Sequence, residues 1–225
     1  MDPEKERVAE NEFVAIDAEA NAVCEECAWL GPAYWGSAVD VTRAVDTDLG
    51  SADRIGQRLT RLRDALPTPR WQIATSARAG ALYDCIWSRL RNANPTYFTP
   101  AQDALMARLN QLASRLGSPP NPSTILQQMD ATKDQVRSKW SATKELYLNV
   151  IESKMVPAYG TATLLARRYA LGGPEVARAS ERLRGIASTL GDERMTALLA
   201  NVVDPTDPEE SRRIVYVPGA FSAAP

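Results

Sequence analysis

Residues 71–93 have the sequence WQIATSARAGALYDCIWSRLRNA, in which Leu82, Ile86 and Leu90 follow one another at four-residue steps. Residues four apart lie on one face of an α-helix, so this spacing predicts a helix with a buried apolar stripe. Tryptophan and tyrosine side chains flank the stripe, and Asn94-Pro95 is expected to end the helix because a residue before proline disfavours helical backbone angles.

The same spacing recurs along most of the chain and predicts helices on both sides of this segment. The apolar positions that carry it are Phe13, Ile16, Ala20, Val23, Cys27 and Leu30, then Ile55, Leu59, Leu62 and Leu66, then Leu105, Leu109, Leu112 and Leu116, then Ile125, Met129, Val136, Trp140, Tyr147 and Val150, and finally Val176, Ala179, Leu183, Ile186, Leu190, Met195, Leu198, Leu199 and Val202.

Glycine, proline and capping residues predict where these helices begin and end. Gly50 is expected to close a short helix around Ala38, and Ser51 is expected to cap the next one. A capping box with proline at the first helical position lies at 99–102. The longest periodic run predicts a helix over about 123–155, with a kink or break at Pro157.

These patterns predict an all-α protein, a bundle of about seven or eight helices with one long helix and an extended C-terminal arm. The proline-rich stretch 117–122 suggests a boundary between an N-terminal helical region, 1–116, and a C-terminal one, 123–203, followed by a tail, 204–225. A single domain over 1–203 is the alternative.

The tail differs in kind from the helical body. It contains Ile214, Val215, Tyr216, Val217 and Phe221, a β-branched and aromatic segment with no partner strand elsewhere in the predicted fold. Such a segment needs hydrogen-bond partners, and we predict that it docks onto a neighbouring protein.

The chain contains no histidine. Histidine is the usual general base near neutral pH and the commonest metal ligand, so its absence excludes Ser-His-Asp and Cys-His catalysis and classical zinc fingers. We predict no metal, no cofactor and no enzymatic activity; an enzyme of this sequence would have to use lysine, tyrosine or carboxylates.

Three cysteines, Cys24, Cys27 and Cys85, are too few and odd in number for a disulfide scaffold. The spacing of Cys24 and Cys27 suits a redox pair or half of a metal site, but the neighbouring glutamates and the apolar stripe favour small buried thiols instead. We therefore expect free cysteines in a reducing compartment.

Charge is unevenly distributed. Residues 1–30 contain nine acidic and two basic residues, whereas residues 67–171 contain thirteen basic and six acidic ones. We expect the N-terminal helix to pack against, or steer toward, the basic middle of its own or a neighbouring chain, with solvated helix faces as the alternative.

Arg54, Arg58 and Arg61 share a helical face, but a net charge of −2 argues against nucleic-acid binding.

Trp29, Tyr34 and Trp35 cluster around two glycines and a proline. Aromatic side chains exposed at a turn are typical of protein contact surfaces, whereas aromatic side chains packed inward would form a corner of the core. We take these three residues, together with the five apolar residues of the tail, as candidate partner-binding residues.

Two functional hypotheses follow. The first is a non-catalytic assembly subunit that acts through a protein partner or as a homo-oligomer, for example in a virion connector or another large complex. The second is a helical ligand-binding regulator, in which Trp71, Tyr83, Trp87, Trp140 and Tyr147 line a pocket.

The sequence also bears on where the protein resides. It has no run of about 18 apolar residues, and its first residues are acidic where a signal peptide would be basic. We expect no membrane span and synthesis in the cytoplasm, with incorporation into a larger particle as a further option.

Overall fold

The computed structural model describes residues 3–25, 38–66, 68–93, 122–200 and 202, together with positions 107–108, 111 and 114–115. Within these ranges the chain is helical, without strands, which confirms the all-α prediction. Six helices have bounds within these ranges, namely α1 (Pro3–Glu25), α2 (Ala38–Ala65), α3 (Pro69–Asn92), α4 (Pro122–Arg168), α5 (Pro174–Leu190) and α6 (Asp192–Leu199). The described positions 107–108, 111 and 114–115 are also helical, and the described residues do not reach the predicted count of seven or eight helices.

Helix α3 lies at the centre and contacts α1, α2, α4 and α5. Its predicted stripe, Leu82, Ile86 and Leu90, is fully buried, which confirms the sequence pattern. The main hydrophobic core combines buried side chains from all six helices. The division at 117–122 falls mostly outside the described residues and stays a prediction.

A glycine allows α3 and α4 to approach closely. A Cβ atom added to Gly80 would lie 2.5 Å from Cδ1 of Tyr159, which is closer than carbon atoms pack. The ring of Tyr159 therefore lies against the bare backbone of α3.

Helix α2 corrects the predicted boundary at Gly50 and Ser51, because it runs through both residues without a break. Buried Leu49 and Ala52 continue the apolar stripe across this point. A glycine inside a helix costs only about 1 kcal/mol relative to alanine, which burial of a continuous stripe outweighs.

Helix α4 corrects the break predicted at Pro157, since it spans 47 residues and contains this proline in its interior, and the kink that was the alternative stays a prediction. The buried side chains of Met155 and Val156 on one side of the proline, and of Tyr159 on the other, keep both halves in the core. The helix therefore continues to Arg168 instead of ending near 155.

The last two helices follow the predicted pattern and are joined by a tight turn. Gly191 has φ of +80°, a backbone angle that favours glycine, and it ends α5 and begins α6. Beyond α6, Val202 packs on α4 where a Cβ on Gly160 would lie 2.5 Å from its side chain. None of the described helices has a stretch long and apolar enough to span a bilayer.

The acidic α1 packs within its own chain; its contact with Arg78 reaches the basic segment 67–171, as one of the two predictions expects, whereas its contact with Arg58 lies outside that segment. Glu19 pairs with Arg58 of α2 at 2.6 Å, and Asp17 pairs with Arg78 of α3. Such partly exposed pairs each contribute at most about 1 kcal/mol, so they orient α1 more than they stabilise it.

Candidate functional site

A cleft of about 670 Å³ opens between α2, α3 and α4. Each helix contributes one face, as its spacing shows: on α4, for example, Lys154, Pro157, Ala158 and Thr161 line the cleft at steps of three, one and three. The volume is within the range of pockets that bind small molecules.

Asp53 of α2 joins the three helices at one end of the cleft. Its carboxylate Oδ1 accepts a hydrogen bond from the Tyr83 hydroxyl of α3 at 2.7 Å and from Lys154 Nζ of α4 at 2.5 Å. Lys154 Nζ also lies 5.6 Å from the centroid of the Tyr83 ring. These contacts fix the relative positions of the three cleft walls.

Tyr83 remains a hydrogen-bond donor in this arrangement. Burial, followed by the hydrogen bond to Asp53 and the negative charge of Asp53, raises the pKa of the Tyr83 hydroxyl above its usual range. Gly56 leaves room for this hydroxyl, because a Cβ at Gly56 would lie 3.0 Å from Tyr83 Oη.

The charges that line the cleft are mostly positive. Arg61, Arg63 and Lys154 face a single carboxylate, that of Asp53, which is already bound by Lys154. Arg63 Nε lies 3.0 Å from Asp64. Within the described parts of the chain, Arg61 has neither an ion-pair nor a hydrogen-bond partner.

The remaining polar groups of the cleft are suited to binding. Hydroxyl side chains from all three helices line it, namely Thr60, Thr75, Ser76, Tyr83 and Thr161. Across the described residues, no group of three or more cysteine, aspartate or glutamate side chains comes together in a way that could hold a metal ion. The cleft thus offers guanidinium, ammonium and hydroxyl groups to a polar molecule.

The five aromatic residues predicted to line a pocket do not converge on this cleft, and Tyr83 alone lines it. Trp71 packs edge-on against Phe13, with ring centroids 5.7 Å apart, and Trp87 donates its indole N–H to Glu152 at 3.0 Å. Trp140 is buried in the core, where burial of its large apolar surface stabilises the fold.

The cysteine prediction is wrong for two of the three residues. Cys24 of α1 and Cys85 of α3 form a disulfide, with Cα atoms 5.8 Å apart, so neither is a free thiol and Cys24 does not pair with Cys27. Helix packing brings together two cysteines 61 positions apart in sequence, a contact that local spacing does not reveal. Cys27 lies outside the described residues.

The predicted partner-binding residues also lie outside the described part of the chain. These are Trp29, Tyr34 and Trp35, between α1 and α2 in the sequence, and Ile214, Val215, Tyr216, Val217 and Phe221 in the tail. Their role in protein contacts stays a prediction.

Two buried carboxylates escaped the sequence analysis. Asp84 accepts two hydrogen bonds from Arg182, both at 2.6 Å, and Glu152 accepts bonds from Trp87 and from Arg194. Asp84 is the single acidic residue in 71–93, and this isolation in a largely apolar segment was the available signal. Both pairs attach the C-terminal helices α5 and α6 to the central ones.

Comparison with known proteins gives no further indication of function. No protein-family model matches the chain, and neither a curated protein nor a solved structure is similar to it. The residues of the cleft are therefore the basis for a functional proposal.

Proposed function

We propose that this protein is a helical binding protein that holds a small polar molecule in the cleft between α2, α3 and α4. The observation that carries the proposal is a cavity of about 670 Å³ whose polar groups come from three separate helices. Small-molecule sites commonly lie between the helices of a bundle and combine such a volume with a few converging polar groups.

The rigidity of the cleft walls supports this proposal. Asp53, Tyr83 and Lys154 bridge all three helices, and Gly80 holds α3 close to α4. A site built on packed helices needs little reorganisation on binding, and this reduces the entropic cost of holding a ligand.

Thermal unfolding of the full chain against a library of small metabolites tests the proposal. A ligand present at about 100 times its Kd stabilises the folded state by about 2.7 kcal/mol, which corresponds to a melting temperature higher by roughly 5–10 °C. We expect at least one such ligand.

Two matched substitutions place the ligand in the cleft. Ala158→Phe fills the cleft from α4 and should abolish the shift, whereas Ala142→Phe, on the exposed surface of the same helix, should retain it. Thr60→Trp blocks the cleft from an exposed position of α2 and repeats the test without altering the core. Equal shifts in all three variants would refute the proposal.

An assembly subunit is the second candidate function. Leu146 and Val150 lie four residues apart on α4 with exposed fractions of 69% and 46%, and paired exposed apolar side chains favour a protein contact. Light scattering after size exclusion tests this candidate: the unmodified chain should form a defined oligomer, and Leu146→Ser with Val150→Ser should shift it toward monomer. A monomer at all concentrations would contradict self-assembly.

A further inference from the structure

We infer that the ligand of the cleft is a small organic anion that presents carboxylate or phosphate oxygens to Arg61 and a hydrogen-bond donor to α3. This inference rests on the proposed function, since it names the chemical class that the same cleft would bind. Its two parts come from different observations, the charge of the lining and an unpartnered buried amide.

The lining of the cleft contains one carboxylate, that of Asp53. Asp53 is bound by Lys154 and by the Tyr83 hydroxyl, so it is already neutralised from within the protein. Arg63 is paired with Asp64, so the excess positive charge of the cleft is that of Arg61, which has no partner among the described residues. A guanidinium can form paired hydrogen bonds with a carboxylate or a phosphate.

The same lining disfavours other ligand classes. A cation would be repelled by three cationic side chains, and the one carboxylate that could attract it is already paired with Lys154. A fully apolar molecule would remove the Arg61 guanidinium from water without replacing its hydrogen bonds.

Gln72 of α3 carries a buried amide. This side chain is only 3% exposed, and its Oε1 atom has no hydrogen-bond partner. Gln72 does not itself line the cleft; it lies one helical turn before Ser76, on the same face of α3 as the lining residues Ser76, Ala79 and Tyr83. A buried amide oxygen without a partner is unfavourable, so a ligand N–H or O–H that reaches this face would relieve the cost.

A second unpartnered polar group, that of Thr68, lies at the start of α3. Its Oγ1 is also buried without a hydrogen-bond partner, and it does not cap the start of α3. Gln72, Ser76 and Ala79 follow at steps of four and three on one face of α3, whereas Thr68 directly precedes the helix with an extended backbone. Two unpartnered polar atoms, Gln72 Oε1 and Thr68 Oγ1, therefore lie near the start of α3, outside the lining of the cleft.

Matched pairs of probes test the charge requirement on the full chain at constant ionic strength. Adenosine monophosphate is compared with adenosine, citrate with its trimethyl ester, and inorganic phosphate is measured alone. We expect the anion of at least one pair to raise the melting temperature, with no shift from its neutral counterpart. Inorganic phosphate, which lacks the organic part, should bind more weakly.

Substitutions then assign the two contacts. Arg61→Gln should weaken binding of the anion by about tenfold or more, because a charge-assisted hydrogen bond is lost. Arg184→Gln removes an exposed arginine of α5 that does not line the cleft and should leave binding unchanged. Gln72→Met keeps the length of the side chain. It should weaken the binding of the organic anion and leave the binding of inorganic phosphate unchanged.

The outcomes separate the two proposals. If the metabolites that bind are neutral or cationic and Thr60→Trp blocks them, the anion inference fails and the binding function stands. Anion binding that survives both Arg61→Gln and Thr60→Trp would place the ion elsewhere and overturn both proposals. If neither the probes nor the library raise the melting temperature, both proposals are wrong.

Discussion

Replacement of Arg182 by alanine should destabilise the fold by about 2–4 kcal/mol. The side chain of Asp84 is only 8% exposed, and Arg182 donates to both of its carboxylate oxygens at 2.6 Å. Tyr159 and Ser88 donate to the same carboxylate at 3.1 and 3.2 Å. Without Arg182, a buried negative charge would remain with only these two neutral donors.

The magnitude follows from the environment of the pair. Breaking a fully buried ion pair costs about 3–5 kcal/mol, and the 45% exposure of the Arg182 side chain reduces the expected cost. For a chain of this length, the melting temperature should fall by roughly 5–15 °C. Urea unfolding followed by circular dichroism measures the change as a lower midpoint with an unchanged slope.

Two further variants distinguish the buried charge from a general packing effect. Arg184→Ala, two residues along the same helix and exposed, should change stability by less than about 0.5 kcal/mol. Asp84→Asn combined with Arg182→Ala removes the charge itself and should recover at least about 1 kcal/mol relative to Arg182→Ala alone. A loss below about 1 kcal/mol for Arg182→Ala, or strictly additive losses in the double variant, would refute the argument.

Three other outcomes are expected. Gly80→Ala should cost at least about 1–3 kcal/mol in urea unfolding, because its Cβ would overlap the ring of Tyr159; an unchanged midpoint would show that the two helices separate easily. Reduction of the Cys24–Cys85 disulfide, verified by mass spectrometry, should lower stability by up to about 4 kcal/mol for a loop of 61 residues, and detection of two free thiols in the untreated protein would contradict the pairing. Burial, and then its hydrogen bond to a carboxylate, raises the pKa of Tyr147 to about 12, so its protonated form is favoured by folding and stability should fall as pH rises from about 10 toward 12. Tyr147→Phe should show a smaller loss over that interval, and an identical pH profile would contradict this assignment.

The helices were largely predictable because apolar periodicity is a local property. The boundaries were harder, since glycine and proline are strong local signals whose cost tertiary packing can exceed. Gly50 and Pro157 both lie inside helices because buried residues on each side continue the stripe. Helix propensity gives the free-energy cost of a glycine or proline inside a helix, but it does not include the burial of neighbouring side chains that offsets this cost.

The candidate site was not predictable by the same means. Asp53 is 30 positions from Tyr83 and 101 from Lys154, and neither spacing forms a motif. Aromatic residues gave the most visible signal for a pocket, but four of the five predicted ones do not line the cleft. Large apolar side chains gain most from burial in the core, which leaves small and polar side chains to line an open cavity.

Composition and periodicity alone established a helical chain without histidine chemistry, because both depend only on which residues are present and how they are spaced. Tertiary structure decided which charges are paired, that Cys24 meets Cys85, and where three helix faces leave a polar cleft. The reason is that pairing and cavity formation depend on distances between residues far apart in the chain, and those distances are set by how the helices pack.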